Sequence, residues 1–409
     1  MEFKDLLEKY KNNQASEEEK AIVEREIEKN EIINEYLADK LDFKLDLEEN
    51  EMSNKEVINH KKIIKKAMNK KMNKIILISV ISVLLILFSI KYIVAPIVSS
   101  FYYNPAKISQ GKYFDDFYFD LRTFTELNIP GYGLNSEVVE PLGFGKYNIY
   151  INQENTFKNS TENQQMQILK NMPCGQFIKI YCLESDMFQD VLYKDETNAP
   201  SYYYQRRSGE MMIELKELNP VSYVSAYISF DNDIELKDLS YLIEEYNDEL
   251  NFKWVGIRVS NKDELGTQYS TNQVGFNPSL NDGSSAGDNV NSDKYPLISL
   301  TDYLEDLDDS QIISGQEDYY EFMGKEYETH FISLLKYMND RKEFIEAYSY
   351  TSSSISEFYK QSLYYIEENG VKTYGVLVYG EAQDILKFKE NEDVKSIYVD
   401  NVKSSKYSK

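Results

Sequence analysis

Apolar residues recur with three different rhythms along the 409-residue chain, and each rhythm predicts a different element. Near the start, Phe3, Leu6, Leu7 and Tyr10 lie three or four residues apart, as do Ile22, Val23 and Ile27 in one narrow stripe, and then Ile33, Tyr36, Leu37 and Leu41. That spacing gathers each set on one face of a helix, so three short helices are expected. Ser16 and Glu19 match a capping box and mark the start of the second. From Ile75 to Val98 the polar positions thin out to Ser79, Ser82, Ser89 and Lys91. About 24 residues rising ~1.5 Å each cover the roughly 30 Å hydrocarbon core of a bilayer. A membrane-spanning helix over 74–98 is therefore expected, with Lys91 snorkelling outward.

Beyond it, the rhythm shortens towards the two-residue period of strands. SSFYYNPAKISQGKYFDDFYFDLRTF reads as strands beginning near Phe114, NIPGYG as a turn, and KYNIYI as a strand with Tyr147, Ile149 and Ile151 on one side. The polar NQENTFKNSTENQQ reads as a surface loop, MQILKNM as a short helix and QFIKIYCLE as a strand of the same module, which ends near residue 215. Two repeats of strand, helix and strand follow. The first is VSYVSAYISF, IELKDLSYLIEEYN with Leu236, Leu239, Leu242 and Ile243, and FKWVGIRV; the second is YGVLVYG, EAQDILKFKE and VKSIYVDNV. Two βαβ units suit a ferredoxin-like sandwich, a four-stranded antiparallel sheet with both helices on one face. An insertion of about 110 residues separates them, too long for a plain loop. It opens with the linker-like LNDGSSAGDNVNSD and turns helical through Tyr320, Met323, Tyr327, Phe331, Leu334 and Met338. A further helix carries Ile355, Tyr359, Leu363 and Ile366 and is stopped by Gly370. The expected class is α+β: a small N-terminal helical domain, one transmembrane helix, and an extracytoplasmic α+β domain whose ferredoxin-like C-terminal module carries a helical insertion.

Charge orients these parts. The chain carries a net −24, of which residues 1–59 hold −9, residues 60–74 hold +7 and the remainder −22. The positive cluster is Lys61, Lys62, Lys65, Lys66, Lys70, Lys71 and Lys74, on the N-terminal flank of the apolar run. Positive flanks stay in the cytoplasm and face anionic lipid, so the N-terminus is expected inside and the large C-terminal part outside. The span lies too far from Met1 for an ordinary cleaved signal peptide, and a retained signal anchor is expected. Neither soluble part has the clustered Lys/Arg that phosphate neutralisation needs, so direct nucleic-acid binding is not expected. The domains follow as a cytoplasmic helical domain over 1–45, a basic juxtamembrane linker over 46–73, the span over 74–98, a first outer module over 99–215 and a second over 216–409.

Candidate chemistry is sparse. Cys174 and Cys182 are separated enough to form a disulfide or to remain as thiols, but two cysteines make no metal framework. Asp231, Asn232, Asp233 and Glu235 offer oxygens between a strand and a helix, where they either hold calcium or cap the helix and suit its dipole. The twelve-residue calcium loop pattern is missing, which favours capping. His330 lies beside an apolar helix stripe and reads as a packed or surface residue; pairing with a cysteine nucleophile has no sequence signature. Trp254 reads as a core aromatic, with ligand stacking as the alternative. No phosphate loop or acylation motif stands in a strand-turn-helix setting, so no catalytic residue, metal or cofactor is expected and the chain reads as a non-enzyme.

The stretch FKDLLEKYKNNQASEEEKAIVEREIEKNEIINEYL resembles the N-terminal domain of membrane-bound anti-sigma factors, which hold extracytoplasmic-function sigma factors inactive. The zinc-binding form of that domain carries His-x3-Cys-x2-Cys after a Val-Glu pair; here, after Val23 and Glu24, the matching positions are Glu26, Asn30 and Ile33, which implies a zinc-free version. YVSAYISFDNDIELKDL, NFKWVGIRVSNKDE and QVGFNPS are similar to the sigma-factor regulator C-terminal domain of low-GC Gram-positive bacteria (Firmicutes), and the segment through FYYNPAK, NIPGYG and GKYNIYI resembles its N-terminal companion. The resemblance implies a cytoplasmic sigma factor as partner and an envelope signal as input. The residues then expected to bind the sigma factor are Phe3, Leu6, Leu7, Tyr10, Ile22, Val23, Ile27, Ile33, Tyr36 and Leu37. A protease of the intramembrane or site-1 kind is a further candidate partner, release otherwise requiring a pull on the juxtamembrane segment or a change of oligomer state. The alternative from another class is a membrane-anchored envelope binding protein or cell-wall enzyme whose N-terminus only anchors or localises it.

Overall fold

A computed structural model of the chain describes residues 3–12, 14–40, 54–107, 116–174, 188, 209–261, 272–279, 290–300, 316–349 and 352–406. It has two units, Met1–Val83 and Leu84–Lys409. Helices α1 (Phe3–Lys11) and α2 (Glu17–Lys40) belong to the first, and α3 (Asn54–Ser89) continues from it into the second. The second and third helices expected from the apolar spacing are one continuous α2, because no Gly or Pro interrupts the sequence between Lys29 and Asn34. The segment expected as a basic linker is also helical from Asn54 onward, where Lys, Met and Ile are adequate helix formers.

The apolar helix stretches over Lys61–Ser99 with a mean hydropathy of 2.5 in its most apolar window, and is long and apolar enough to cross a membrane. Its hydrogen bonding changes near the end: a π-helical turn at Ile90–Val94 precedes α4 (Ala95–Ser99). Pro96 lacks an N–H and cannot bond the carbonyl four residues back, and the N–H of Ala95 reaches Ile90 instead, widening the turn.

Helix α5 (Asp116–Asn128) occupies the place where strands were expected. Phe117, Leu121, Phe124 and Leu127 are fully buried along it, so helical spacing overrides the high strand propensity of its aromatic residues. Next comes a four-stranded meander, β1 (Tyr132–Gly143), β2 (Lys146–Asn155), β3 (Ser160–Leu169) and β4 (Met172–Cys174), with neighbours antiparallel. The expected helix MQILKNM is the end of β3, a tight turn and the start of β4, and the expected loop NQENTFKNSTENQQ is the end of β2, a turn and the first part of β3. Its polar residues face solvent along one side while Met166 and Ile168 are buried, a one-sided pattern normal for an antiparallel sheet.

The later part contains β5 (Tyr223–Glu235), α6 (Leu236–Glu245), β6 (Leu250–Ile257), β7 (Val274–Phe276), α7 (Gln316–Asp340), α8 (Lys342–Tyr348), α9 (Ser352–Asn369), β8 (Lys372–Glu381), α10 (Ala382–Phe388) and β9 (Val394–Lys403). The strands form a sheet in the order β7-β6-β8-β5-β9, antiparallel at every pairing. Five strands are present rather than four, because QVGFNPS supplies the edge strand β7 against β6. Alternate residues of β5 enter different cores. Val224, Ala226 and Ile228 pack with Leu236 and Leu239 of α6 and Ile385 and Phe388 of α10. Tyr223 and Tyr227 belong instead to an aromatic cluster with Trp254, Tyr374, Tyr379, Phe157 and Phe188. The insertion helices close over α5, where Phe344 and Tyr348 meet Phe124 at 6.1 and 5.2 Å between ring centroids.

Candidate functional site

The N-terminal helices α1 and α2 are joined by a small set of polar contacts. Ser16 and Glu19 form the reciprocal box, with the Ser16 N–H donating to Glu19 Oε2 at 2.9 Å and the Glu19 N–H to Ser16 Oγ at 3.3 Å. Glu19 also meets Lys9 at 3.0 Å, and the Tyr10 hydroxyl donates to Glu24 at 3.2 Å. The Ser16 N–H, with Lys9, holds the Glu19 carboxyl below its ordinary range, while the Glu24 bond raises Tyr10. Glu19 touches α1, so Val23, one turn further on, shares that face and is fully buried.

Around this seam the apolar side chains are open. Phe3, Ile22, Ile27 and Ile33 are 46%, 45%, 40% and 54% exposed, and Ile32, which the sequence reading passed over, is 59% exposed. At about 100° per residue, Ile22 and Ile33 nearly align while Ile27 stands on the far side of Val23. The exposed face is thus wider than one narrow stripe, and Val23 belongs to the scaffold beneath it. Leu7 and Tyr10 are half-buried; the side chains of Leu6, Tyr36 and Leu37 lie outside the described residues. Of the three positions aligned with the zinc set, Asn30 donates to the Glu26 carbonyl at 3.0 Å and Ile33 is exposed. Among the described residues no group of three or more His, Cys, Asp or Glu is placed to hold a metal ion. Lys61, Lys62, Lys65, Lys66, Lys70, Lys71 and Lys74 are all exposed.

In the second unit, Trp254 is 1% exposed and its indole N–H donates to the Glu126 carbonyl at 2.9 Å, so its polar edge is already engaged. The Glu126 carboxylate stands 2.9 Å from His330 Nε2, and His330 Nδ1 donates to the Leu297 carbonyl at 2.6 Å. Burial pushes Glu126 up, but His330, Arg122 and the Asn277 N–H outweigh it and hold the carboxyl below its ordinary value. A cleft of about 330 Å³ opens beside this pair, lined by Arg122, Glu126, Glu154, Lys253, Trp254 and Ser299. Arg122 and Lys253 make no ion pair among the described residues, and the buried Ser299 hydroxyl has no hydrogen-bond partner.

The acidic constellation at the end of β5 has its own cations. Asp233 takes two hydrogen bonds from the buried Arg258, both 2.9 Å, and Glu235 pairs with Lys372 at 2.6 Å. Glu235 is the N-cap residue of α6 but makes no side-chain cap, so the capping expected there is absent. A second buried pair was missed: Asp120 on α5 accepts two bonds from Arg341 and one from the Tyr337 hydroxyl, each 2.6 Å, and a 3.3 Å bond from the Tyr103 hydroxyl. Burial pushes the Asp120 carboxyl up, against Arg341 and the tyrosines pulling it down. The Cys174 side chain and Cys182 lie outside the described residues.

Residues 215–401, a little under half of the chain, match the family model described as sigma factor regulator C-terminal. This is the region of the five-stranded sheet, its two flanking helices and the helical insertion. No curated protein and no solved structure matches the chain.

Proposed function

We propose that the chain is a single-pass membrane anti-sigma factor, with residues 1–45 in the cytoplasm sequestering an extracytoplasmic-function sigma factor and the C-terminal part responding to an envelope signal. The observation that carries the reading is the match of residues 215–401 to the sigma factor regulator family. Exposed Phe3, Ile22, Ile27 and Ile33 on a thinly cored helical pair support it, since a partner's groove would supply the missing core. The lysine cluster before the apolar helix supports a cytoplasmic N-terminus. The strand order, with α6 and α10 packed into one core, supports a ferredoxin-like C-terminal module with a helical insertion. No catalytic role is assigned to any residue.

Deleting residues 1–45 should switch on a sigma-dependent set of transcripts in the parent cell, read by whole-transcriptome sequencing. An unchanged profile would argue against antagonism. A second reading, an envelope binding protein with an inert N-terminus, is favoured only by the polar cleft beside Trp254. It requires that the same deletion leave transcription unaltered.

A further inference from the structure

Two tight turns of the outer unit sit beside the end of the apolar helix. β1 passes into β2 through Phe144 and Gly145, and β3 into β4 through Lys170 and Asn171. All four residues have positive φ, at 55°, 72°, 51° and 63°, as two-residue type I′ turns require. Lys146 pairs with Leu169 across the strands, and the Lys170 N–H donates to the Gly145 carbonyl at 2.8 Å, so both tips lie at one end of the meander.

The chain leaving the helix is fastened to that end. Ser99 Oγ accepts the Gly145 N–H at 3.0 Å, and Asn171 Oδ1 accepts the Tyr103 N–H at 2.6 Å. Ala95 is buried, at 5% exposure, between exposed Val94 and Pro96, and a Cβ built on Gly143 would stand 3.2 Å from its own. Ala95 precedes Ser99 by one helical turn, about 6 Å of rise. A hairpin that reaches Ala95 therefore overlaps the last turn of the apolar run, at the depth where headgroups meet acyl chains.

Beside the exposed Lys170, the tips present apolar side chains. Leu142, Phe144, Leu169 and Met172 are 43%, 41%, 39% and 60% exposed, and Phe101 beside them is 78% exposed. Phe144 is the informative residue: a left-handed turn position favours Gly or Asn, and a large aromatic there carries backbone strain of the kind that gathers at functional surfaces. Lys146 directly follows the first tip and Lys170 stands in the second.

We propose that these hairpin tips are a lipid-contacting surface, with Leu142, Phe144, Leu169 and Met172 entering the interfacial layer of the leaflet in which the helix ends, and Lys146 and Lys170 at the headgroup phosphates. The proposal rests on the reading that the apolar helix spans a bilayer. Its consequence is mechanical: the meander is seated on the membrane and hydrogen-bonded to the helix end, so a shift of the outer unit moves that end directly.

The test uses the full chain in nanodiscs of phosphatidylcholine and phosphatidylglycerol with brominated acyl chains. Tryptophan is introduced as Phe144→Trp, Met172→Trp, Val138→Trp or Leu85→Trp, and the emission of the parent, whose only tryptophan is the buried Trp254, is subtracted. Val138 is 60% exposed on β1, about five residues from the turn or ~17 Å along the strand. Positions 144 and 172 should emit at shorter wavelength than position 138 and be quenched about twofold more strongly, with position 85 quenched most. Quenching at 85 with none at 144 and 172, or equal quenching at 138 and 144, would overturn the proposal and leave the span standing. No quenching at 85 would overturn the span, and the proposal with it.

Discussion

The N-terminal helical pair, proposed as the inner part, and the unit from Leu84 onward, proposed as the outer one, are built on opposite economies of burial. Before the apolar helix, Ala15 and Val23 are the buried apolar residues among those described, and ion pairs such as Lys29–Glu26 are solvent-exposed. Exposed pairs contribute little, and short helices depend on packing. The outer unit instead closes two cores, one of them largely aromatic, and buries the charges of Asp120 and Arg258 against bonded partners. The contrast teaches which part can keep its shape alone. A scaffold whose buried charges are bonded to one another holds a fixed geometry, while a pair with open isoleucines leaves apolar surface that the proposed partner would cover.

The comparison can be broken at its strongest point first. Asp120→Ala leaves Arg341 without its carboxylate and should destabilise the outer unit by about 3–5 kcal/mol, measured by urea unfolding followed through Trp254 fluorescence. The inner pair should be unaffected, as read by hydrogen exchange of α1 and α2. A smaller effect is expected from Glu126→Gln. Glu126 lies below the ordinary carboxyl value of 4.5 in the folded chain, so its contribution is present above that value and lost as pH falls through the folded one. The substitution should cost about 1–3 kcal/mol near neutral pH and flatten the acid limb of the stability profile. An unchanged acid limb would remove Glu126–His330 from the outer unit's stability. The smallest effect belongs to the inner pair: Ser16→Ala removes the cap of α2 and should cost about 1 kcal/mol, visible as faster amide exchange at residues 17–19.

How much of this was legible depended on how local the signal was. β5, α6, β6, β8, α10 and β9 were readable because each carries its own period and its own turn residues. The α1–α2 capping box was readable from Ser16 and Glu19 for the same reason. Helix α5 was not, because Phe117, Tyr118, Phe119 and Phe124 favour a strand in isolation and only the insertion helices supply the surface that makes a helix win. β3 hid behind its solvent-facing Thr161, Asn163 and Gln165, and the turn Lys170-Asn171 lacks the usual glycine. The cleft was beyond reach for another reason. Arg122, Lys253 and Ser299 come from three distant segments, and only the folded chain gathers them.

The central claim is that the open helical pair holds a sigma factor, and affinity capture of the full chain from detergent-solubilised membranes tests it most directly. The wild-type chain should bring down one sigma factor in near-equal amount, identified by mass spectrometry, and joint substitution Leu6→Asp, Leu7→Asp and Tyr10→Asp should abolish the recovery. Capture of the wild-type chain without a sigma factor, or undiminished capture by the substituted chain, would contradict it.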